Sequence, residues 1–325
     1  MTSTLQAQKV NQQSLPIIDI GALIDGDQKQ RRTVAEQLSA ACLDKGFFYI
    51  RNHGIEARLQ ARVFAAAKTF FEQPLATKKQ VDKALSPANR GYEPLRGQTL
   101  EADAPPDLKE GYYIGRDLPD DHPAVRAGKF NHGANQWPRQ AGFRETMETY
   151  FEAMNELSAR IMQGLALSLS LPEDYFADFC HEPMAVLRLL HYPPQPGNPE
   201  PGEKGCGAHT DFGGITLLLQ DDNPGLQVWD QASQGWIHAD PVPGTYVVNL
   251  GDMIARWTND RYRSTLHRVV NLSGRERFSV PFFHSGNPDH QVRCLPSCLA
   301  PGSSPKYPPV TVEQHMIDMY QRTYK

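Results

Sequence analysis

The chain is short of several things, and each shortage bears on a class of function. It has no excess of basic residues: 33 Lys and Arg stand against 37 Asp and Glu, a formal charge of −4. Without a basic stripe it offers no electrostatic footprint for nucleic acid or an anionic membrane, so neither is expected as a partner. No apolar run approaches the roughly 20 residues that a membrane-spanning helix needs. The segment Met1–Gln13 is polar and lacks a hydrophobic centre, so it does not read as a secretory signal. Cysteine is scarce as well. Its five copies, Cys42, Cys180, Cys206, Cys294 and Cys298, are odd in number and irregularly spaced. That argues against a disulfide framework and suits a reducing, cytoplasmic setting. Internal repeats and low-complexity segments are also missing.

What is present is a chain of 325 residues in two differently patterned parts. This length can bury a sizeable core, and large β-sandwich or barrel enzymes reach it as one domain. The expected organisation is a disordered tail at 1–14 and a single catalytic domain at 15–325. Within that domain, 15–183 is helix-rich, 184–294 carries the sheet core, and 295–325 is a C-terminal extension ending in a helix.

In the first part, Val34, Leu38, Ala41 and Cys42 recur at helical spacing from Arg31 to Lys45, with Gly46 placed to end the helix. Phe47–Arg51 reads as a buried strand. Asn52-His53-Gly54 reads as a turn whose histidine bonds backbone rather than a metal. Leu59, Val63, Ala67, Phe70 and Phe71 mark a second helix that stops before Pro74. From Ala84 to Asp121 the apolar period is lost, which predicts an irregular lid or substrate loop. Phe143, Met147, Phe151, Met154, Leu157, Ile161 and Leu165 then outline a long helix, read as a scaffold packed across a sheet.

The second part is built of short strand candidates: Val186–Tyr192, Ile215–Leu219, Leu226–Trp229, Tyr246–Leu250, Met253–Arg256, Leu266–Asn271 and Phe278–His284. Turns at Asp222-Asn223-Pro224-Gly225 and Ser233-Gln234-Gly235 separate some of them. Many short antiparallel strands after a helical half predict an α+β fold. Its core would be a jelly roll (a double-stranded β-helix) flanked by N-terminal helices. Thr311-Val312-Glu313-Gln314 reads as a capping box opening a C-terminal helix through Tyr320.

Two short motifs carry the chemistry. In His209-Thr210-Asp211 the ligand-type residues are two apart, so on an extended backbone both side chains leave one face. Two imidazoles and a carboxylate suit non-haem Fe(II) with open positions, and His267 is the best candidate for the third ligand, arriving from a distant strand. Arg277 and Ser279 are again two apart and form a carboxylate clamp of guanidinium plus hydroxyl. Cys206 lies close to His209, but a thiolate would steer the site away from oxygen activation.

These motifs, with Leu15–Ile20, Gly46–Ile55, Tyr192-Pro193-Pro194, Asn249–Asp252 and Trp257–Tyr262, resemble the Fe(II)- and 2-oxoglutarate-dependent dioxygenases of the isopenicillin N synthase-like family nearly end to end. The resemblance implies an enzyme that uses Fe(II), O2 and 2-oxoglutarate to oxidise a small molecule by hydroxylation, desaturation or ring formation, releasing succinate and CO2. Arg277 and Ser279 would hold the far carboxylate of 2-oxoglutarate, and Tyr192 would add a hydrogen bond there or face the primary substrate. Because the family folds the 84–121 region over the active-site mouth, Arg90, Tyr92 and Tyr112 are substrate-side candidates, and Phe212 joins them. A relative of the isopenicillin N synthase or ascorbate-using type, needing no 2-oxoglutarate, is the alternative. A non-catalytic cupin-like binding module is the third reading, disfavoured by the intact ligand set.

Other residues have weaker claims. Arg188 shares a strand face with Leu190 and Tyr192 and, among apolar neighbours, needs a carboxylate partner: a structural acid, the co-substrate or the substrate. Many plant members of the family carry Asn where Leu190 stands. His284, on the strand of Arg277 and Ser279, is a pocket candidate, whereas His191 alternates away from Tyr192. Asn249 and Asp252 are expected to orient ligands or form turns rather than react.

Overall fold

The helices form where the apolar spacing puts them. Asp27 opens the helix Gln28–Asp44 with a capping box in which Asp27 and Gln30 satisfy each other's backbone N–H. Gly46 leaves it at φ +64°, where a Cβ would collide with the Arg263 carbonyl. On the helix Ala57–Phe71 all five marker residues are buried. The helix Phe143–Ser168 buries its Met and aromatic stripe, with Phe151 edge-on to Phe282 of the sheet beneath at 5.2 Å. The computed structural model describes residues 15–195 and 200–323, so the expected tail at 1–14 lies outside the described residues.

Strands are numbered in chain order. β1 (Ile17–Asp19), β2 (Phe47–Arg51), β3 (Gly91–Glu93) and β4 (Glu110–Ile114) precede the long helix. After it come β5 (Met184–Tyr192), β6 (Cys206–His209), β7 (Ile215–Gln220), β8 (Leu226–Asp230), β9 (Gly235–His238), β10 (Tyr246–Leu250), β11 (His267–Val269) and β12 (Arg277–Gly286). The larger sheet runs β1-β2-β10-β7-β12-β5-β4-β3 and the smaller β6-β11-β8-β9. Together they form the jelly-roll core, with the helices Gln28–Asp44 and Phe143–Ser168 stacked on the outer face of the larger sheet.

Alternation along the strands sorts side chains between the layers. Leu217, Val248 and Phe282 face the helices in the main apolar cluster. Their neighbours Leu218, Asn249 and Pro281 face the smaller sheet and line a cavity between the two. A second apolar cluster, including Leu190, Leu226, Val228 and Val269, closes the floor of that space.

Two expectations need correction. The 84–121 segment is not irregular throughout, because it contributes β3 and β4 to the larger sheet. Both strands carry buried acids that made them look like loop. Glu93 accepts from Lys83 and the Tyr113 hydroxyl, both at 2.6 Å. Glu110 accepts from Lys78 at 2.7 Å and from the Tyr92 hydroxyl at 2.6 Å, and pairs with His191 Nδ1 at 2.8 Å. A strand with paired charges on its buried faces loses the apolar alternation that strand reading depends on. Met253–Arg256, expected as a strand, lies within the helix Asp252–Trp257. Met, Ala and Arg favour helix, and Asp252 in the first turn suits the helix dipole.

The C-terminal helix spans Val312–Thr323. Half of the expected box forms: the Gln314 N–H donates to Thr311 Oγ1 at 3.2 Å, while the Gln314 side chain turns to Asp318. Among the described residues no helix is long and apolar enough to cross a membrane.

Candidate metal centre

His209 ends β6 and His267 begins β11, and the two are direct partners in the antiparallel register. Residues 58 positions apart by number therefore place their rings 4.3 Å apart, centroid to centroid. Asp211 follows β6 by two residues and turns its Oδ1 toward both, 3.7 Å from His209 Nε2 and 3.8 Å from His267 Nε2. One ligand atom from each of the three residues falls within 4.8 Å of the others. It is the one such cluster of three or more found among the described residues.

The donor atoms are oriented from behind. His209 Nδ1–H donates to the Gly207 carbonyl at 2.8 Å and His267 Nδ1–H to the Thr265 carbonyl at 3.1 Å. Each ring is thereby held as the tautomer whose Nε2 lone pair is free. Burial lowers the pKa of both histidines below the ordinary imidazole range, so both are neutral at pH 7, the form a metal takes. Asp211 Oδ2 is occupied by Thr216 Oγ1 at 2.6 Å and Asn249 Nδ2 at 2.7 Å, which leaves Oδ1 facing the imidazoles. Burial opposes its charge, but the two histidines and these hydrogen bonds outweigh it and hold the carboxyl below its ordinary range. Two neutral imidazoles and one carboxylate, aimed at one point, fit a divalent iron ion.

Asn249, expected to orient a ligand, makes that contact directly. Asn249→Ala is expected to lower Fe(II) affinity about 10- to 100-fold while the protein stays folded. Anaerobic Fe(II) titration checks this, and an unchanged affinity would mean that Thr216 alone suffices to hold Asp211. Cys206 is not in the cluster. Burial pushes its thiol up to about 12, and its sulfur lies 3.9 Å from His209 Nδ1, the nitrogen turned away from the metal position.

Beyond the ligands, Arg277, Ser279 and Tyr192 line the inter-sheet cavity. Arg277 pairs with Tyr192 across β12 and β5, and its guanidinium stands 5.1 Å from the Tyr192 ring. The Arg277 side chain is fully buried; Nη2 donates to Gln220 Oε1 at 2.8 Å, but Nε and Nη1 have no hydrogen-bond partner among the described residues. A buried guanidinium with two unmatched donors beside a cavity is a costly arrangement unless an anion enters. The 2-oxoglutarate carboxylate fits that requirement. Arg188 stands where this cavity meets a second one that opens beside His209 and Asp211, with its guanidinium over the Tyr113 and Phe283 rings. Phe212 lines the second cavity too, and its carbonyl accepts from His315 Nε2 at 3.1 Å.

Four sequence candidates lie elsewhere. Tyr92 and Tyr112 belong to the core against Phe70, and the Tyr112 hydroxyl donates to the Gln136 carbonyl. Arg90 is buried behind the strands and donates to the Asn131 carbonyl at 2.6 Å. His284 is on the helix face of β12, packed on Phe179, because it is one residue out of step with Arg277, Ser279, Pro281 and Phe283. The part of the 84–121 segment that does reach the site runs from its middle to the start of β4, through Gln98, Leu100 and Lys109. Met316 and Tyr320 of the C-terminal helix complete the second cavity. Their i, i+4 spacing was a visible signal, but nothing local said which surface that helix meets.

Two family profiles match the chain. The non-haem dioxygenase N-terminal domain, described from morphine synthesis, matches residues 15–140, and the 2OG-Fe(II) oxygenase superfamily matches 183–286. The chain is 48% identical to the 2-oxoglutarate-Fe(II) type oxidoreductase hxnY of Emericella nidulans, over 95% of this chain and 90% of that protein. It is 40% identical to the 2-oxoglutarate-dependent dioxygenase citB of Monascus ruber, over 95% of each. Among solved structures it resembles a full-length Neurospora crassa protein crystallised in complex with alpha-KG and thymine. The TM-score is 0.83 at 31% identity, covering 98% of this chain and 99% of that one.

Proposed function

This chain belongs to the 2OG-Fe(II) oxygenase superfamily, and from that premise we propose how its residues divide the work. It is a non-haem dioxygenase that oxidises a small molecule with Fe(II), O2 and 2-oxoglutarate. His209, Asp211 and His267 hold the iron. Arg277 and Ser279 take the far carboxylate of 2-oxoglutarate, and Tyr192 closes the same wall. Bound together, metal and keto acid supply the oxidising power, with 2-oxoglutarate leaving as succinate and CO2. The rest of the chain binds, orients and keeps water out. The observation that carries this reading is the fully buried Arg277, with two N–H groups unmatched among the described residues, in a cavity shared with all three ligands.

Residues 15–325 act as one catalytic domain, since N-terminal β1–β4 and core strands share one sheet. A cytoplasmic setting is part of the same reading, supported by five cysteines that are all free thiols.

The second cavity receives the primary substrate. Its walls are apolar and aromatic, with Leu100, Phe212, Phe283, Met316 and Tyr320. Arg188 supplies a cation at its inner end, where the two cavities join. A small flat substrate with an anionic or strongly accepting edge suits that lining. The Neurospora crassa protein was crystallised with thymine, a planar ring with acceptor edges. The test is succinate release across a panel of small aromatic and heteroaromatic acids and their neutral analogues. A hit among the acids should lose about ten-fold or more in kcat/KM in Arg188→Met, and the neutral analogue much less. Equal losses for both would remove Arg188 from substrate recognition.

A further inference from the structure

The Arg277–Ser279 grip leaves one buried cation of the co-substrate cavity unexplained. Lys109, just before β4, is 3% exposed and lines the same cavity as Arg277, Tyr192 and His209. Its ammonium is ion-paired with Asp107 Oδ2 and reaches Cys206 Sγ at 3.7 Å. An ammonium has three N–H donors, so these two contacts leave one for whatever fills the cavity. The Asp107 carboxylate beside it supplies the negative charge that offsets the burial of the Lys109 ammonium.

Asp107 does more than neutralise it. Its Oδ1 accepts the Gly207 N–H at 2.8 Å, and the Gly207 carbonyl accepts His209 Nδ1–H at 2.8 Å. A line of contacts therefore runs from a cavity cation to an iron-ligand imidazole. The loop carrying Asp107 fits because residue 207 is glycine: a Cβ there would lie 2.7 Å from Glu101 Cβ and 3.3 Å from Asp107 Oδ1. The next N–H, of Ala208, goes to Glu101 Oε2 at 3.0 Å. β6 is the outer strand of the smaller sheet, and loop 94–109 caps its free edge with two carboxylates.

We propose that Lys109 is a positioning residue for 2-oxoglutarate, giving the keto acid a second cationic contact and tying that contact, through Asp107 and Gly207, to the His209 ring. It rests on the co-substrate assignment above, and titration of the wild type reports on that assignment separately from the variants.

The experiment is anaerobic titration of the Fe(II)-loaded protein with 2-oxoglutarate, read by the charge-transfer absorption of the metal–keto acid chelate. Lys109→Met is expected to weaken 2-oxoglutarate about ten-fold or more and to move the absorption maximum, with Fe(II) affinity kept. Lys109→Arg should recover part of the loss, since a guanidinium retains the charge but not the point geometry. Lys109→Met also strands Asp107, so the double variant Asp107→Asn/Lys109→Met is titrated beside it; the amide still offers an acceptor to Gly207 N–H. The same loss in the double variant supports a direct contact. Wild-type affinity in the double variant, or a Lys109→Met affinity within about two-fold of wild type, overturns the proposal.

Discussion

Asp211→Ala is expected to abolish tight Fe(II) binding and with it all turnover, and His267→Ala to do the same. The three donor atoms converge from two strands and a loop, with no fourth His, Cys, Asp or Glu among the described residues in the cluster to take over. Losing one ligand should therefore cost more than the roughly 10- to 100-fold that follows from disturbing a residue behind a ligand. Asp211 is the more telling of the two because it supplies the only negative charge in the set. Its removal also leaves Thr216 Oγ1 and Asn249 Nδ2 without their acceptor, a buried loss of about 1–3 kcal/mol for each. Asp211→Asn separates the two effects: it keeps the shape and much of the hydrogen bonding but not the charge. Iron content after anaerobic loading, oxygen uptake with substrate and a thermal melt together decide the matter. A well-folded variant that still binds iron tightly and turns over would show that the wrong ligands were chosen.

Arg277→Leu should leave iron almost untouched and strike the co-substrate. A hydrogen bond to a charged group contributes about 1.5–3 kcal/mol, so losing the guanidinium should weaken 2-oxoglutarate by about ten- to a hundred-fold or more. Nε and Nη1 are the two of its donors with no partner among the described residues, and both are lost. Lys at this position should rescue only in part, because it cannot reproduce a planar fork already fixed by Gln220 and the Tyr192 ring. The same anaerobic charge-transfer titration reads the change, with Fe(II) affinity measured separately. If Arg277→Leu binds 2-oxoglutarate as the wild type does, Arg277 grips another anion and the co-substrate carboxylate lies elsewhere.

Short-range pattern was enough to single out the candidate reactive groups. His209 and Asp211, and Arg277 and Ser279, are each two apart, and period-two geometry puts such pairs on one face whatever surrounds them. The same kind of information located the helix apolar faces and most core strands, since burial on one side leaves a clean period. It failed where both faces are covered. β3 and β4 hide their alternation behind Glu93 and Glu110, acids that are tolerable in a core only because Lys83, Lys78 and three other side chains neutralise or bond them.

What only the tertiary structure decided is which face is which, and what arrives from far away. Parity already separated His284 from Arg277 and Ser279, but the layer that assigned the odd-numbered side of β12 to the cavity is a contact between sheets, and no local period encodes it. Tyr92 and Tyr112 are aromatic residues in the expected segment, yet the helix Ala57–Phe71 claims them for the core. Lys109, Gln98, Met316 and Tyr320 come to the site from segments some two hundred positions apart in the sequence. Their roles depend on how a loop caps β6 and where the last helix docks. Those are long-range packing choices, settled by buried area and by pairing of backbone groups, and a sequence window of a few residues contains neither.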